Sequence, residues 1–311
     1  LPKKTQPVGK INLIPSVISP FNKTRIAPTP SGFLHLGNIL SFILAATLAE
    51  KNNAKILLRI DDLDQSRAND LYIEDIFETL NFLEIPWDEG PKTALKFKES
   101  YSQVTRLDSY RELLLKLAGN DLVFACGCSR KQQLQAGPCS CLTKNIPLNT
   151  ENVSWRMKTS GDRMLQIKTV NGKVTGVSLP PSMQNFIVKK RDGMPAYQLT
   201  SVVDDLHYGV DFIVRGDDLW SSTLAQMYLA DVVGLEDFKD TAFYHHKLIL
   251  DETGNKLSKS AGSASIHFLR GGNKPVSAIW QIIAKHFGIN ADVKTWRELG
   301  KALLNEATYP I

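Results

Sequence analysis

Two close cysteine pairs, Cys126-Gly-Cys128 and Cys139-Ser-Cys141, hold every cysteine of the 311-residue chain within sixteen residues. Four thiolates in two pairs are the donor set of a tetrahedral zinc site. With all four positions filled by sulfur, no coordination position stays open, so one structural Zn²⁺ per chain is expected. Unrelated buried thiols or oxidised pairs are the competing readings. A second group is Pro28-Thr-Pro-Ser-Gly32-Phe-Leu-His35-Leu-Gly37-Asn38. Its glycines allow close backbone approach, and a following helix N-terminus attracts phosphate. The spacing is neither a dinucleotide fingerprint nor a Walker loop, and a plain turn beside a buried histidine is the rival. A third group, Lys256-Leu-Ser258-Lys259-Ser260, offers two ammonium groups and two hydroxyls that could close over a triphosphate. A solvated lysine loop is its rival.

The elements that must position these groups alternate between strand and helix. A short strand at 24–27 precedes the first loop, an apolar helix at 36–51 follows it, and 55–60 is a buried strand. Amphipathic helices are expected at 71–83 and 101–118. Residues 164–180 alternate around Asn171-Gly172, a hairpin signal. Strands at 186–190 and 211–215 flank a helix at 196–206. A helix at 222–233, a strand at 244–250, a turn at Thr253-Gly254-Asn255 and two or three closing helices complete the pattern. The fold class is α/β with a central insertion.

Composition narrows the class further. With 43% hydrophobic and 22% charged residues, the chain is neither disordered nor a coiled coil. No apolar run reaches the length of a membrane span. Four cysteines in a chain of this length do not make a secreted disulfide scaffold, so a reducing cytoplasm is expected. The net charge of +5 is uneven: residues 1–49 carry five basic and no acidic residues, and residues 239–311 carry ten basic and six acidic, leaving the middle at −4. Basic ends permit a polyanionic partner.

His35-Leu-Gly-Asn38 near the start and Lys256-Leu-Ser-Lys259-Ser near the end resemble the HIGH and KMSKS signatures of class I aminoacyl-tRNA synthetases. Arg25-Ile-Ala-Pro-Thr-Pro-Ser-Gly, Leu58-Arg-Ile-Asp61-Asp62-Leu-Asp64, Tyr197-Gln198-Leu, Val202-Val-Asp204-Asp205 and Val214-Arg215-Gly-Asp-Asp-Leu219 resemble glutamyl-tRNA synthetases. The run from Arg215 to Leu229 is most similar to the shorter glutamyl-queuosine tRNA(Asp) synthetases. The resemblance spans about residues 23–260. It implies a Rossmann-type class I catalytic domain with an inserted zinc-bearing α/β subdomain and a short C-terminal helical segment. The expected divisions are 1–22 as an N-terminal extension, 23–100 and 191–260 as the two halves of the catalytic domain, 101–190 as the acceptor and zinc-bearing insertion, and 261–311 as the helical segment.

It also implies roles. His35, Asn38, Lys256 and Lys259 would be catalytic. Pro28, Gly32, His35, Gly37, Asn38, Lys256, Ser258 and Lys259 would bind ATP, with Mg²⁺ on its phosphates. Arg25, Ala27, Thr29, Asp61, Tyr197 and Arg215 would bind L-glutamate. Elementary chemistry agrees: a diacid with one ammonium needs cationic forks and an anion, although surface ion pairs would explain the arginines too. Departures from the family pattern are Thr29 for Ser, Asp61 for Glu, Asn38 for His, Leu257 for Met, and one cysteine where the shorter enzymes carry Tyr. The activity expected is ATP-dependent activation of glutamate and transfer to queuosine in tRNA(Asp), by a monomer with no membrane partner. Only 51 residues follow Ser260, too few for another large anticodon-reading domain. The alternatives are a truncated glutamyl-tRNA synthetase charging tRNA(Glu), a non-catalytic paralogue binding nucleotide or RNA, and a paralogue aminoacylating another acceptor.

Overall fold

The computed structural model describes residues 18–129, 132, 139–248, 265–272 and 274–305. Strand β1 (Lys23–Ile26) runs into helix α1 (Leu36–Asn52), whose eleven buried residues surround the helix. An apolar surface on every side suits a helix enclosed by the core. Asn53, at φ 52° in the left-handed region, ends it. Strand β2 (Lys55–Leu58) then pairs in parallel with β1, and the expected strand stops two residues early where Arg59 turns inward. Helix α2 (Asp70–Phe82) matches its expectation to within a residue, and the short α3 (Ala94–Ser100) has no sequence forecast.

The helix expected at 101–118 begins instead with a 3₁₀ turn, Gln103–Arg106, before α4 (Leu107–Gly119). Asp62 causes the change: its carboxylate accepts the Gln103 amide (2.7 Å) and the Ser102 hydroxyl (2.5 Å), pinning the entry. Strand β3 (Val123–Cys126) and β4 (Ser154–Met157) pair antiparallel, and a later strand, β7 (Ile187–Lys189), completes a three-stranded sheet. β4 is buried on both faces and shows no alternation, so periodicity missed it. Strands β5 (Met164–Thr169) and β6 (Val174–Ser178) form the expected hairpin, and β7 spans Ile187–Lys189.

Helix α5 (Tyr197–His207), strand β8 (Phe212–Gly216), helix α6 (Trp220–Val233), the single turn α7 (Glu236–Lys239) and strand β9 (Ala242–His246) follow. β9 sits two residues ahead of its forecast because its register is set by parallel pairing with β8. The turn forecast at Thr253 lies outside the described residues. β9 is flanked by β8 and β5 in the order β6-β5-β9-β8, so the hairpin at 164–178 joins the central sheet. β1 lies beside β8, where Asp211 N donates to Lys23 O at 3.1 Å. β1 runs parallel to β2, and β8 and β5 both run parallel to β9.

Helices α8 (Ile266–Gly271), α9 (Val276–His286) and α10 (Trp296–Asn305) pack on this core. α10 crosses α1 at Gly300, where a Cβ would lie 1.9 Å from Thr47 Oγ1 and about 3 Å from its other side-chain carbons. Rotating Thr47 does not clear the space. Alanine usually stabilises a helix by about 1 kcal/mol over glycine. Gly300→Ala is expected to do the reverse and lose about 1–3 kcal/mol in a denaturant titration. Unchanged or higher stability would contradict this contact.

Candidate active site

The carboxyl ends of β1, β2, β8 and β9 open onto one cavity of about 190 Å³, the crevice that open α/β sheets use for ligands. Arg25, Ala27, His35, Gly37, Asn38, Asp61, Tyr197 and Arg215 all line it. The sequence thus placed eight residues from four distant segments around one space. Pro28, Thr29 and Gly32 are not among the lining residues. Pro28 instead accepts the Asp61 amide through its carbonyl at 2.9 Å, joining the ends of β1 and β2.

His35 and Asn38 shape the start of α1. His35 Nδ1 accepts the Gly37 amide at 3.1 Å, and Asn38 Oδ1 accepts the His35 amide at 3.1 Å, which makes a reciprocal capping box. The imidazole therefore carries its proton on Nε2 when neutral. The first turn holds no acidic residue, so the positive end of the helix dipole faces the cavity uncompensated. Gly216 forms the opposite wall, where a Cβ would meet Asp218 Oδ1 at 2.6 Å and Leu248 Cδ2 at 2.8 Å.

Three buried arginines point their charge at this space, and two are already paired. Arg59 grips both oxygens of Asp61 (2.7 and 3.1 Å) and reaches Asp205 Oδ1 at 2.8 Å. Arg25 Nε reaches the same Asp205 oxygen at 3.1 Å, and Arg25 Nη1 donates to the Val214 carbonyl at 3.3 Å. Burial raises the Asp61 carboxyl above its ordinary value even though Arg59 opposes the shift. Burial works against the Arg59 charge, but Asp205 and Asp61 outweigh it and hold Arg59 well above its ordinary value.

Arg215 differs. Its Nη2 donates to Gln226 Oε1 at 3.0 Å, while Nε and Nη1 are buried with no hydrogen-bond partner. Burial, reinforced by the charge of Arg25, brings its pKa down to about 10 despite the Tyr197 phenol beside it. Burial next to Arg215 also holds His245 neutral, with a pKa pushed down to about 3. A buried guanidinium with two unused donors has the chemistry to accept an anion.

Lys256, Ser258 and Lys259 lie outside the described residues. The chain on either side of them does not. Leu248 lines the cavity, Ser265 forms a bridge with His35, and Ile266 N donates to Leu34 O at 2.9 Å.

The four cysteine sulfurs all lie within 4.8 Å of one another, with contacts of 3.4–3.5 Å. Disulfide bonds need about 2.05 Å, so no pair of these sulfurs is joined by a disulfide in the structure. A tetrahedron with Zn–S bonds of about 2.3 Å needs sulfurs about 3.8 Å apart, and the cluster fits. Burial opposes ionisation of Cys126, yet the Cys128 amide, Cys139 and the Arg156 charge lower it to about 7. None of the four lines the cavity.

Sequence reasoning gave no role to Arg59, Asp205, Gln226, Ser41 or His246. Arg59 and Asp205 stand inside motifs quoted for other residues. Ser41 and His246 line the cavity and lie 2.6 Å apart, a contact made between the second turn of α1 and the end of β9.

The family description "tRNA synthetases class I (E and Q), catalytic domain" matches residues 22–298. The glutamyl-Q tRNA(Asp) synthetase of Nitratidesulfovibrio vulgaris is 33% identical over 289 residues, 86% of this chain and 87% of that protein. The glutamate–tRNA ligase of Buchnera aphidicola is 32% identical over 259 residues, 78% of this chain but 52% of the ligase. The chain thus spans about half the length of the glutamate–tRNA ligase it matches. In fold, it superimposes on a glutamate tRNA ligase from Elizabethkingia meningosepticum with a TM-score of 0.69 at 21% identity, over 90% of this chain and 64% of that one. The described residues contain no helix long and apolar enough to cross a membrane. The chain belongs to the class I tRNA synthetases of the glutamate and glutamine type, a family of ligases, and carries their catalytic domain.

Proposed function

We propose that this protein activates L-glutamate with ATP and transfers the glutamyl group to queuosine in the anticodon of tRNA(Asp). The observation that carries the first half is Arg215, buried at the cavity with two donors unused. A substrate carboxylate would accept from both at once. Arg25 and the Tyr197 hydroxyl would hold the remainder of the amino acid. Asp61 would draw its ammonium, because each carboxylate oxygen keeps a lone pair beyond its bond to Arg59.

In this reading the glutamate α-carboxylate attacks the α-phosphorus of ATP, and pyrophosphate leaves with the P–O bond electrons. The protein contributes position and charge rather than covalent chemistry. The α1 N-terminus and the His35–Asn38 loop would receive phosphate or ribose, with Mg²⁺ on the phosphates. Lys256 and Lys259 would stabilise the leaving pyrophosphate. The described chain stops at Leu248 on the cavity wall and resumes at Ser265 beside His35, which supports that role. Lys259→Ala is expected to slow adenylate formation at least 100-fold and to change the glutamate KM by less than about threefold, the signature of a group that acts in the transition state. Equal losses in both would contradict the role.

The choice of tRNA(Asp) over tRNA(Glu) is supported by the relative that matches nearly end to end. ATP–pyrophosphate exchange with each amino acid, with and without tRNA, tests activation. Glutamate-dependent exchange without tRNA, then labelled glutamate on queuosine-containing tRNA(Asp), is the expected result. Label on tRNA(Glu) instead would favour a glutamate–tRNA ligase, and no exchange at all would defeat the enzyme reading.

A further inference from the structure

Five arginine side chains are buried among the described residues: Arg25, Arg59, Arg106, Arg156 and Arg215. Arg25, Arg59 and Arg106 each hold a carboxylate, and Arg156 donates to the Asn185 carbonyl away from the cavity. Arg215 alone combines burial, a place on the cavity wall and a neutral partner. That partner, Gln226, is fully buried. A guanidinium only donates, so the amide must present its oxygen to Arg215, and its Nε2 is left with no partner. The other neighbours of Arg215 are a phenol, a ring and an imidazole rather than carboxylates: Tyr197 stands beside it, the Phe243 ring lies 5.2 Å away, and His245 is neutral. Asp205, whose charge reaches Arg215, makes no hydrogen bond to it and is held by Arg25 and Arg59.

We infer that Gln226 is a specificity-determining positioning residue: it orients Arg215 through a neutral oxygen and so leaves the guanidinium charge for a substrate carboxylate. Glutamate and glutamine differ at that end only by a charged oxygen in place of an amide nitrogen. Shape cannot separate them well. An uncompensated buried cation can, because it favours the anion and leaves the amide's own N–H groups facing donors. A carboxylate at position 226 would fix Arg215 equally well but would cancel the charge. The residue type therefore matters separately from the hydrogen bond.

This inference rests on the reading that Arg215 holds glutamate. Two variants test it in ATP–pyrophosphate exchange, with glutamate and glutamine as competing substrates. Gln226→Glu is expected to raise the glutamate KM about 10- to 100-fold, the range for losing a charge-assisted hydrogen bond. The kcat/KM preference for glutamate over glutamine should fall by a similar factor, with the ATP KM within about twofold of wild type. Gln226→Met keeps the charge exposed, so its preference for glutamate should stay within about threefold of wild type even if its KM rises. A purely structural role would make the two variants alike. If Gln226→Glu keeps the wild-type preference, or Gln226→Met loses it, the inference fails while the proposed function stands. If the wild-type protein shows no glutamate-dependent exchange, both fail. Should Gln226→Glu lower the melting temperature sharply, Gln226→Met alone decides: retained preference supports the inference and lost preference overturns it.

Discussion

Arg215→Met is expected to raise the glutamate KM about 10²- to 10³-fold while leaving the melting temperature within a few degrees of wild type. The two halves come from the same geometry. Removing one partner of a buried charge pair costs about 3–5 kcal/mol, because the other charge stays buried and unpaired. At about 1.4 kcal/mol per decade, that is at least a hundredfold. The free protein has no such pair to lose. Nε and Nη1 of Arg215 are buried without partners, and its charge is held against a desolvation penalty. Methionine removes that penalty of several kcal/mol. It also leaves Gln226 without its one bond, at a cost of about 1–3 kcal/mol. The terms oppose, so stability should move little. The ATP KM should stay within about threefold. Arg215→Lys keeps the charge but not the fork, and its glutamate KM should fall between the two. A melting temperature lowered in step with activity would show Arg215 to be structural instead.

Removing zinc is expected to separate the two halves of the reaction. Metal analysis should find one zinc per chain, and Cys139→Ser or a strong chelator should release it. A structural zinc contributes about 10–16 kcal/mol to holding its ligands together, far more than the small apolar cluster of Phe124, Cys126, Cys141 and Ile146 can supply. The end of β3 and the 3₁₀ turn at Ser140–Thr143 should therefore come apart. No cysteine lines the cavity, so glutamate-dependent pyrophosphate exchange should survive within about threefold. Transfer of glutamate to tRNA should fall at least tenfold if this segment meets the acceptor. Parallel loss of exchange and transfer would show that the cluster supports the whole fold. Zinc-free protein with full transfer would remove the metal from the account.

What was legible in the sequence had local causes. His35 and Asn38 stand three residues apart because a capping box needs that spacing, and the cysteines declare themselves by proximity along the chain. Helix α1 and the β5–β6 hairpin follow from apolar run and Asn-Gly turn. The partners of the charged residues were not legible, because they are set by tertiary contact. Asp204 and Asp205 are neighbours on α5, so they project in different directions. Asp205 meets Arg25 and Arg59, whereas Asp204 meets Arg106, Tyr110 and Gln103. Arg59 reads as one residue of a motif until the structure shows it holding both oxygens of Asp61 with Nε and Nη2. β4 and α7 were missed because a strand buried on both faces and a single helical turn carry no period.

These buried ion pairs also set an order on how the chain can fold. Arg25 waits 180 residues for Asp205 and Arg106 waits 98 for Asp204, whereas Arg59 meets Asp61 two residues on and Asp205 only 146 later. During synthesis, more than half of the polypeptide leaves the ribosome before α5 supplies these carboxylates; Arg59 has Asp61 close by, but Arg25 and Arg106 have only their α5 partners. Burying them early would cost several kcal/mol each. The first 200 residues therefore have reason to stay open around β1 and β2 until α5 is complete. Such long-range closure is slow, and chaperones would find the nascent N-terminal half exposed for longer than its strong helices suggest.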